Sequence, residues 1–546
     1  MFMLFTVSAL ALAAIDAEHS HAHPPQLGKL AFETTCSPAA QAAFGRGLGW
    51  LHSFEYRRAE QSFNEAATAD PGCGIAQWGV AMSYYHPLWD KPTPAELEKG
   101  KDAIEKAKSA GAKSQREKDY VAALDSFYRD SDRLDLKTRA LAYSDAMAKL
   151  HGDYPTDDEA AVFYALSLIA AGTMDGDHAF PRQKRAGAIL NQVLAKNPDH
   201  PGVAHYLIHS FDYPALAELA RPAARRYAGI APDSAHAQHM PSHIFTRLGL
   251  WDEAISSNRG SEASARAYAR SSGLPGAWDQ ELHAMDYLAY AYLQTGRDAK
   301  AQQVLDELKL IRSADPPTRT AAYAVTAIPA RLLLERRRWR EAAALELPPN
   351  LANLPALANH KWAVTHLHFA RALGAARNGQ PELARAEIQK LAALEQSLTI
   401  GPGDYDWRKQ IAIERQIAEG WLAHRANKDD DALKTMRAAA ALDDATEKNP
   451  VTPGPILPAR EQLAELLLEL HRPAEALKEY ETSLERAPGR LAGLYGAAQA
   501  AKLAGDPVKE RRYFAELARI TVQGDSARAE VKAARTFRPL VQRERR

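Results

Sequence analysis

The chain has 546 residues, too many for one ordinary globular core, so it is either several domains or a repeat array. Its 68 basic and 68 acidic residues cancel, which excludes a whole-molecule field for nucleic acid. Ala, Leu, Arg and Glu are abundant and β-branched residues sparse, a composition that favours helix.

At the amino terminus, residues 1–17 (MFMLFTVSALALAAIDA) form an apolar run of signal-peptide length that ends in small residues. It is too short for a comfortable membrane span. The basic n-region of a signal is missing, so an uncleaved anchor is the alternative. The expectation is a periplasmic or secreted protein with no stable membrane span after signal removal. Residues 18–35 then read as a flexible leader carrying His19, His21 and His23, with metal capture as the competing reading.

From residue 36 the chain repeats. Ala59, Phe63, Ala66 and Pro71 have the spacing of a second helix in a two-helix repeat. Small residues stand where paired helices approach, an aromatic fills the gap, and Pro stops the helix. The spacing resembles that of tetratricopeptide (TPR) repeats and sets one at 40–73. Pro198 and Pro232 close two further repeats, 201–234 being the second of them. Trp251 with Ala254, Gly296 with Ala301 and Leu305, Trp339 with Ala342, Gly379 with Ala384, Ala476 with Tyr480 and Pro488, and Gly505 mark later ones. Insertions fall at 87–95, 172–181 and 269–281. The Pro/Gly-rich stretch 448–458 reads as a loop or lid. The predicted fold is all-α, a right-handed superhelical solenoid of TPR-type repeats over 36–525. Its candidate site lies in 158–345, its carboxy-terminal repeats in 356–525, and a basic, solvated tail follows at 526–546.

This register gives the two cysteines, Cys36 and Cys73, a relation. Each precedes the first helix of a repeat, and stacking brings those starts side by side. In an oxidising compartment they are expected to form a disulfide; two buried free thiols are the alternative.

The concave groove of such a solenoid is lined by the first helix of each repeat. With about 100° per residue, repeat positions 2, 5, 9, 12 and 13 share one stripe. In the repeat at 201–234 that stripe carries His205, His209 and Asp212. At 235–268 it carries His236, His239 and His243, and in the repeat near 282 it carries His283 and Asp286. Histidines four apart lie one turn apart and can chelate one ion. His205, His209, His239 and His243 are therefore the expected primary ligands, with His236 and His283 in reserve. Asp212, Asp286 and Glu281 are candidates for ligand, tautomer-fixing partner or general base. Pro241 interrupts the helix between His239 and His243 and puts their alignment in question. Arg331 is an anion-binding candidate. Trp78, Met82, Tyr85 and His86 read first as packing and second as an aromatic pocket. His360, His366 and His368 are left out of the site.

The segments HPGVAHYLIHSFD and HAQHMPSHIF, with WGVAMSYYHPLW and HAMDYLAYAYLQ, resemble a family of long bacterial TPR proteins with fungal relatives. The resemblance covers roughly residues 36–515. It implies the helical solenoid and, in many members, export; it implies no reaction. The functional expectation is a nitrogen- and oxygen-ligated transition metal (Zn, Cu, Fe or Mn), with a small molecule in the groove. The rival is a peptide-binding scaffold whose histidines are polar contacts or a pH sensor. The sequence contains no phosphate-binding GxxxxGK[ST] loop.

Overall fold

The computed structural model describes residues 24–88, 91–401 and 404–544. The signal-peptide reading and His19, His21 and His23 lie outside them. The described chain is a TPR-type solenoid of consecutive helical hairpins. Its only strands among the described residues, Ala277–Trp278 and Ala314–Asp315, are a short parallel pair between hairpins. No helix among the described residues is long and apolar enough to cross a membrane.

The first hairpin explains the repeat spacing. Helix Pro38–His52 begins at Ser37, whose side chain accepts from the Ala40 N–H and satisfies one orphan donor of the first turn. Its partner Tyr56–Ala69 buries Ala59, Phe63 and Ala66 completely. The Phe63 ring slots between Gly47 and Gly79, where an added Cβ would stand only 2.7 Å and 2.3 Å from it. Glycine on both flanking helices is what lets one aromatic fill the gap. Tyr480 fits against Gly496 in the same way near the other end of the array. Cys36 and Cys73 form the expected disulfide, with Cα atoms 5.1 Å apart.

The array also folds back on itself, bringing sequence-distant repeats into contact. Helix Pro38–His52 packs on helix Pro201–Phe211, and His52 Nδ1 lies 3.0 Å from the Tyr206 hydroxyl. At the other end, Trp251 Nε1 donates to the Gly489 carbonyl at 2.7 Å, and Leu491 N donates to Gln294 at 2.9 Å. The Arg490 guanidinium is fully buried and donates to Glu335 at 2.8 Å, Glu461 at 2.6 Å and Tyr290 at 2.9 Å. A desolvated guanidinium is tolerated because its donors are taken by two carboxylates and a hydroxyl.

The Pro/Gly-rich segment plugs the groove instead of arching over it. Val451, Thr452, Ile456 and Leu457 are buried. The carbonyl of Gly454 accepts from the Tyr323 hydroxyl at 3.2 Å, and that of Pro455 accepts from Arg331 at 2.8 Å.

Two expectations about the termini are corrected. From Pro24 onward the leader is held at particular points: Leu27 and Phe32 are buried, and Gln26 N donates to Asp233 at 2.7 Å. Phe32 sits among Phe44, Trp78 and Tyr120, and this aromatic cluster anchors the non-helical segment. Residues expected to be a solvated tail instead form helix Ala529–Glu544, anchored by buried Val531 and Ala534. Arg528, just ahead of it, donates to the Leu293 carbonyl at 2.6 Å.

Candidate metal centre

Three consecutive first helices build the centre. Helix Pro201–Phe211 opens with Pro201 at its first position and with His200 as its cap. It carries His205 and His209 one turn apart. The next first helix is divided by Pro241 into Ala235–His239 and Pro241–Arg247, with Ser234 capping the first piece at Ala237 N. Met240 at the junction keeps helical dihedrals, so His239 and His243 still share a face. Helix Asp279–Gln294 brings His283, Asp286 and Tyr287. All six histidines are buried.

They converge as two triads, which corrects the expected grouping of four ligands about one ion. His205 Nε2 stands 2.9 Å from His209 Nε2 and 3.2 Å from His236 Nε2. His239 Nε2 stands 3.0 Å from His243 Nε2, with the His283 ring 4.0 Å from that of His239. In each triad one ring nitrogen per histidine lies within 4.8 Å of the others. The triads adjoin, with 6.4 Å between the rings of His209 and His243 and between those of His236 and His239. Each i,i+4 pair thus takes its third member from the next helix. His236 and His283, expected as reserves, complete the sets.

Proton placement follows from the outer nitrogens. His205 Nδ1 is 2.6 Å from the His52 carbonyl, His239 Nδ1 is 2.7 Å from Asn258 Oδ1, and His243 Nδ1 is 3.0 Å from Asp212 Oδ2. Asn258 Nδ2 donates to the Ala254 carbonyl, which fixes the amide orientation. All three partners are acceptors, so each Nδ1 carries the proton and each neutral ring presents a lone pair at Nε2. Burial lowers the pKa of all six imidazoles, pushing His236 to about 3, and so keeps them neutral. Lone pairs of His239 and His243 therefore face each other at 3.0 Å. Nitrogens about 2.0–2.1 Å from a tetrahedral ion stand about 3.3 Å apart, close to the separations here.

A further constellation, His52–Glu159–His200, has metal-like spacing but different chemistry. His200 Nδ1 accepts from the Val203 N–H, so its Nε2–H donates to Glu159 at 3.1 Å. His52 Nε2 lies 2.9 Å from the other carboxylate oxygen. Burial would raise the Glu159 carboxyl, but the two imidazoles hold it well below the usual range. This network is internally satisfied and braces the helix that carries His205.

Of the two catalytic candidates, Asp212 is at the centre. It follows helix Pro201–Phe211, accepts from His243, binds Arg247 at 2.8 Å and Lys448 at 3.2 Å. Burial would raise its pKa; Lys448, Arg247 and His243 hold it well below the carboxylate range. Asp286 makes no hydrogen bond to a triad histidine, and Arg331 and His366 are the charged groups that act on it. Neither of its oxygens has a hydrogen-bond partner among the described residues, and burial pushes its pKa up to about 6. Glu281 pairs with Arg266 at 2.7 Å, outside the centre. Arg331 grips Pro455 and Tyr323 and is spent on the plug. His366 and His368 pair with Glu414 and Glu387, away from the triads.

Sequence reasoning missed Asn258, Arg247, Tyr287 and Lys448. Arg247 was within reach, one turn beyond His243. Lys448 was not, because it arrives from the plug, far along the chain. Beside the centre lies a cavity of about 660 Å³, whose lining includes His209, Asp212, Arg247 and Lys448. Of the aromatic stripe, Trp78 and Met82 are core, whereas Tyr85 and His86 reach this cavity.

No protein-family model and no curated protein matches the chain. Among solved structures it is similar to a human IFIT1 dimer with m7Gppp-AAAA, at 14% identity over 87% of this chain and 95% of that one, with a TM-score of 0.37. Naa15/Naa10 bound to HypK-THB is 13% identical over 92% of this chain and 74% of that one, at 0.24. The TPR domain of P58(IPK) is 12% identical over 86% and 99%, at 0.20. None of these likenesses bears on the site.

Proposed function

We propose that this is an exported TPR-type solenoid whose closed groove binds transition-metal ions, one on each histidine triad, and presents them to a small molecule in the adjoining cavity. The observation that carries the reading is the pair of unprotonated Nε2 atoms of His239 and His243 at 3.0 Å. Two lone pairs at that distance repel; the Tyr287 hydroxyl, 3.4 Å from His243 Nε2, offers a long contact to one of them only, whereas a cation between them satisfies both. A proton would make an imidazolium, which burial disfavours. The donor set is imidazole without thiolate, suited to Zn, Cu, Fe or Mn. A bound ion would polarise a substrate oxygen or activate water.

The Cys36–Cys73 disulfide supports an oxidising compartment, and so export. The plug at 448–458 favours a small molecule over a long peptide, because it occupies the path an extended chain would take through the groove.

Elemental analysis of untagged protein tests the proposal. About two equivalents of metal are expected, falling to about one in His205→Ala/His209→Ala and again in His239→Ala/His243→Ala, with helical content unchanged. A protein that contains no metal and takes up neither zinc, copper, iron nor manganese on titration overturns it.

A further inference from the structure

The six triad members are all imidazoles, which ligate an ion through a lone pair and so as the neutral ring. A divalent ion held by them keeps its full double charge, because no carboxylate or thiolate in the triad offsets it. The charged side chains beside the centre already cancel: Asp212 and Glu447 face Arg247 and Lys448. An occupied centre therefore has uncompensated positive charge, and it meets the 660 Å³ cavity at His209.

Two buried donors in the cavity wall point the same way. Tyr85 and Asn449 both line it, and each is 2% exposed. Tyr85 Oη and Asn449 Nδ2 have no hydrogen-bond partner among the described residues. Burial raises the Tyr85 pKa, so its hydroxyl stays protonated and can donate. Buried donors without acceptors are costly, and a ligand that brings oxygens would satisfy them. The rest of the wall includes Phe127, Ile169 and Phe180, and the volume is within the range of cavities that take small organic molecules.

Resting on the metal reading, we propose that the cavity binds a small organic acid. Its carboxylate faces the metal-bearing end beside Lys448, and its apolar body lies against the aromatic and aliphatic wall. The wall also holds one buried acceptor without a hydrogen bond, Glu447 Oε2, which lies 3.6 Å from the Arg247 guanidinium; charge complementarity and the two orphan donors together select an anion over a neutral or cationic molecule of the same shape.

The test uses full-length protein whose metal content has been measured, titrated calorimetrically with benzoate, its neutral isostere benzamide and the cation benzylamine. The expected result is benzoate binding at least tenfold tighter than benzamide, with no binding of benzylamine. Lys448→Met, compared with the parent at matched metal occupancy, should weaken benzoate about tenfold, and Lys448→Arg should restore most of the loss. Equal binding of benzoate and benzamide, or preference for benzylamine, by fully metal-loaded protein overturns the inference. Failure of the metal reading is distinguishable, since it is read in the elemental analysis before any ligand is added.

Discussion

His243 and Asp212 are joined by a 3.0 Å hydrogen bond from Nδ1 to Oδ2, and the same carboxylate holds Arg247 and Lys448. One oxygen thus links the tautomer of a triad imidazole to the root of the plug in the groove. A carboxylate behind a ligating histidine fixes the ring and raises its basicity.

Replacing that carboxylate should act on one triad. Asp212→Asn is expected to weaken metal affinity at the His239–His243–His283 site about 10–100-fold while sparing the His205–His209–His236 site. Competition against a chromophoric chelator resolves the two affinities. Equal weakening of both sites would show that Asp212 acts on the fold and not on His243.

Asp286 should respond to pH. Its pKa is raised by burial to about 6, above its unfolded value near 3.8. A raised acid stabilises the fold below its unfolded pKa and loses that contribution as pH climbs through the folded one. The loss begins near pH 4 and is complete a little above pH 6, at about 3 kcal/mol. Asp286→Asn removes the ionisable group. Its melting temperature should exceed the parent's at pH 8, with the gap closing toward pH 4.5 in a scanning-fluorimetry series. A pH-independent difference would contradict this.

The disulfide closes a loop with a sequence separation of 37. On the chain-entropy account, its removal costs about 4 kcal/mol. Cys36→Ser/Cys73→Ser should lower the midpoint of the amino-terminal unfolding transition in urea, and reduction of the parent should reproduce the shift. No change in either would mean that the packed leader alone holds this end.

Gly79→Ala tests the repeat packing. The added Cβ would meet the Phe63 ring at 2.3 Å, so ring or helix must move. A loss of about 1–3 kcal/mol is expected by denaturant melting. Gly111→Ala is not an equivalent control, because Gly111 has a positive φ of 75°. Gly152, which has helical neighbours and nothing near its Cβ direction, is the appropriate one, and alanine there should be neutral or slightly stabilising.

The helical solenoid, its register and the candidate histidines were legible because they are local properties. An aromatic flanked by small residues at repeat spacing makes a hairpin wherever it occurs. Histidines four apart share a helix face whatever surrounds them, and even Pro241 did not separate His239 from His243. The same register brought Cys36 and Cys73 together, since it needs only adjacent repeats.

What the tertiary structure decided was every relation between distant repeats. The sequence by itself determined which residues line the first helices, but not how sharply the array bends, because curvature sums small packing differences over many interfaces. That bend carries His52 to the back of His205 and the 487–491 segment onto Trp251 and Gln294. It also decided that six histidines divide three and three, that Asp212 and not Asp286 hydrogen-bonds a triad histidine, and that Lys448 reaches the centre. These outcomes depend on side chains meeting across long sequence separations, and no periodicity along the chain encodes them.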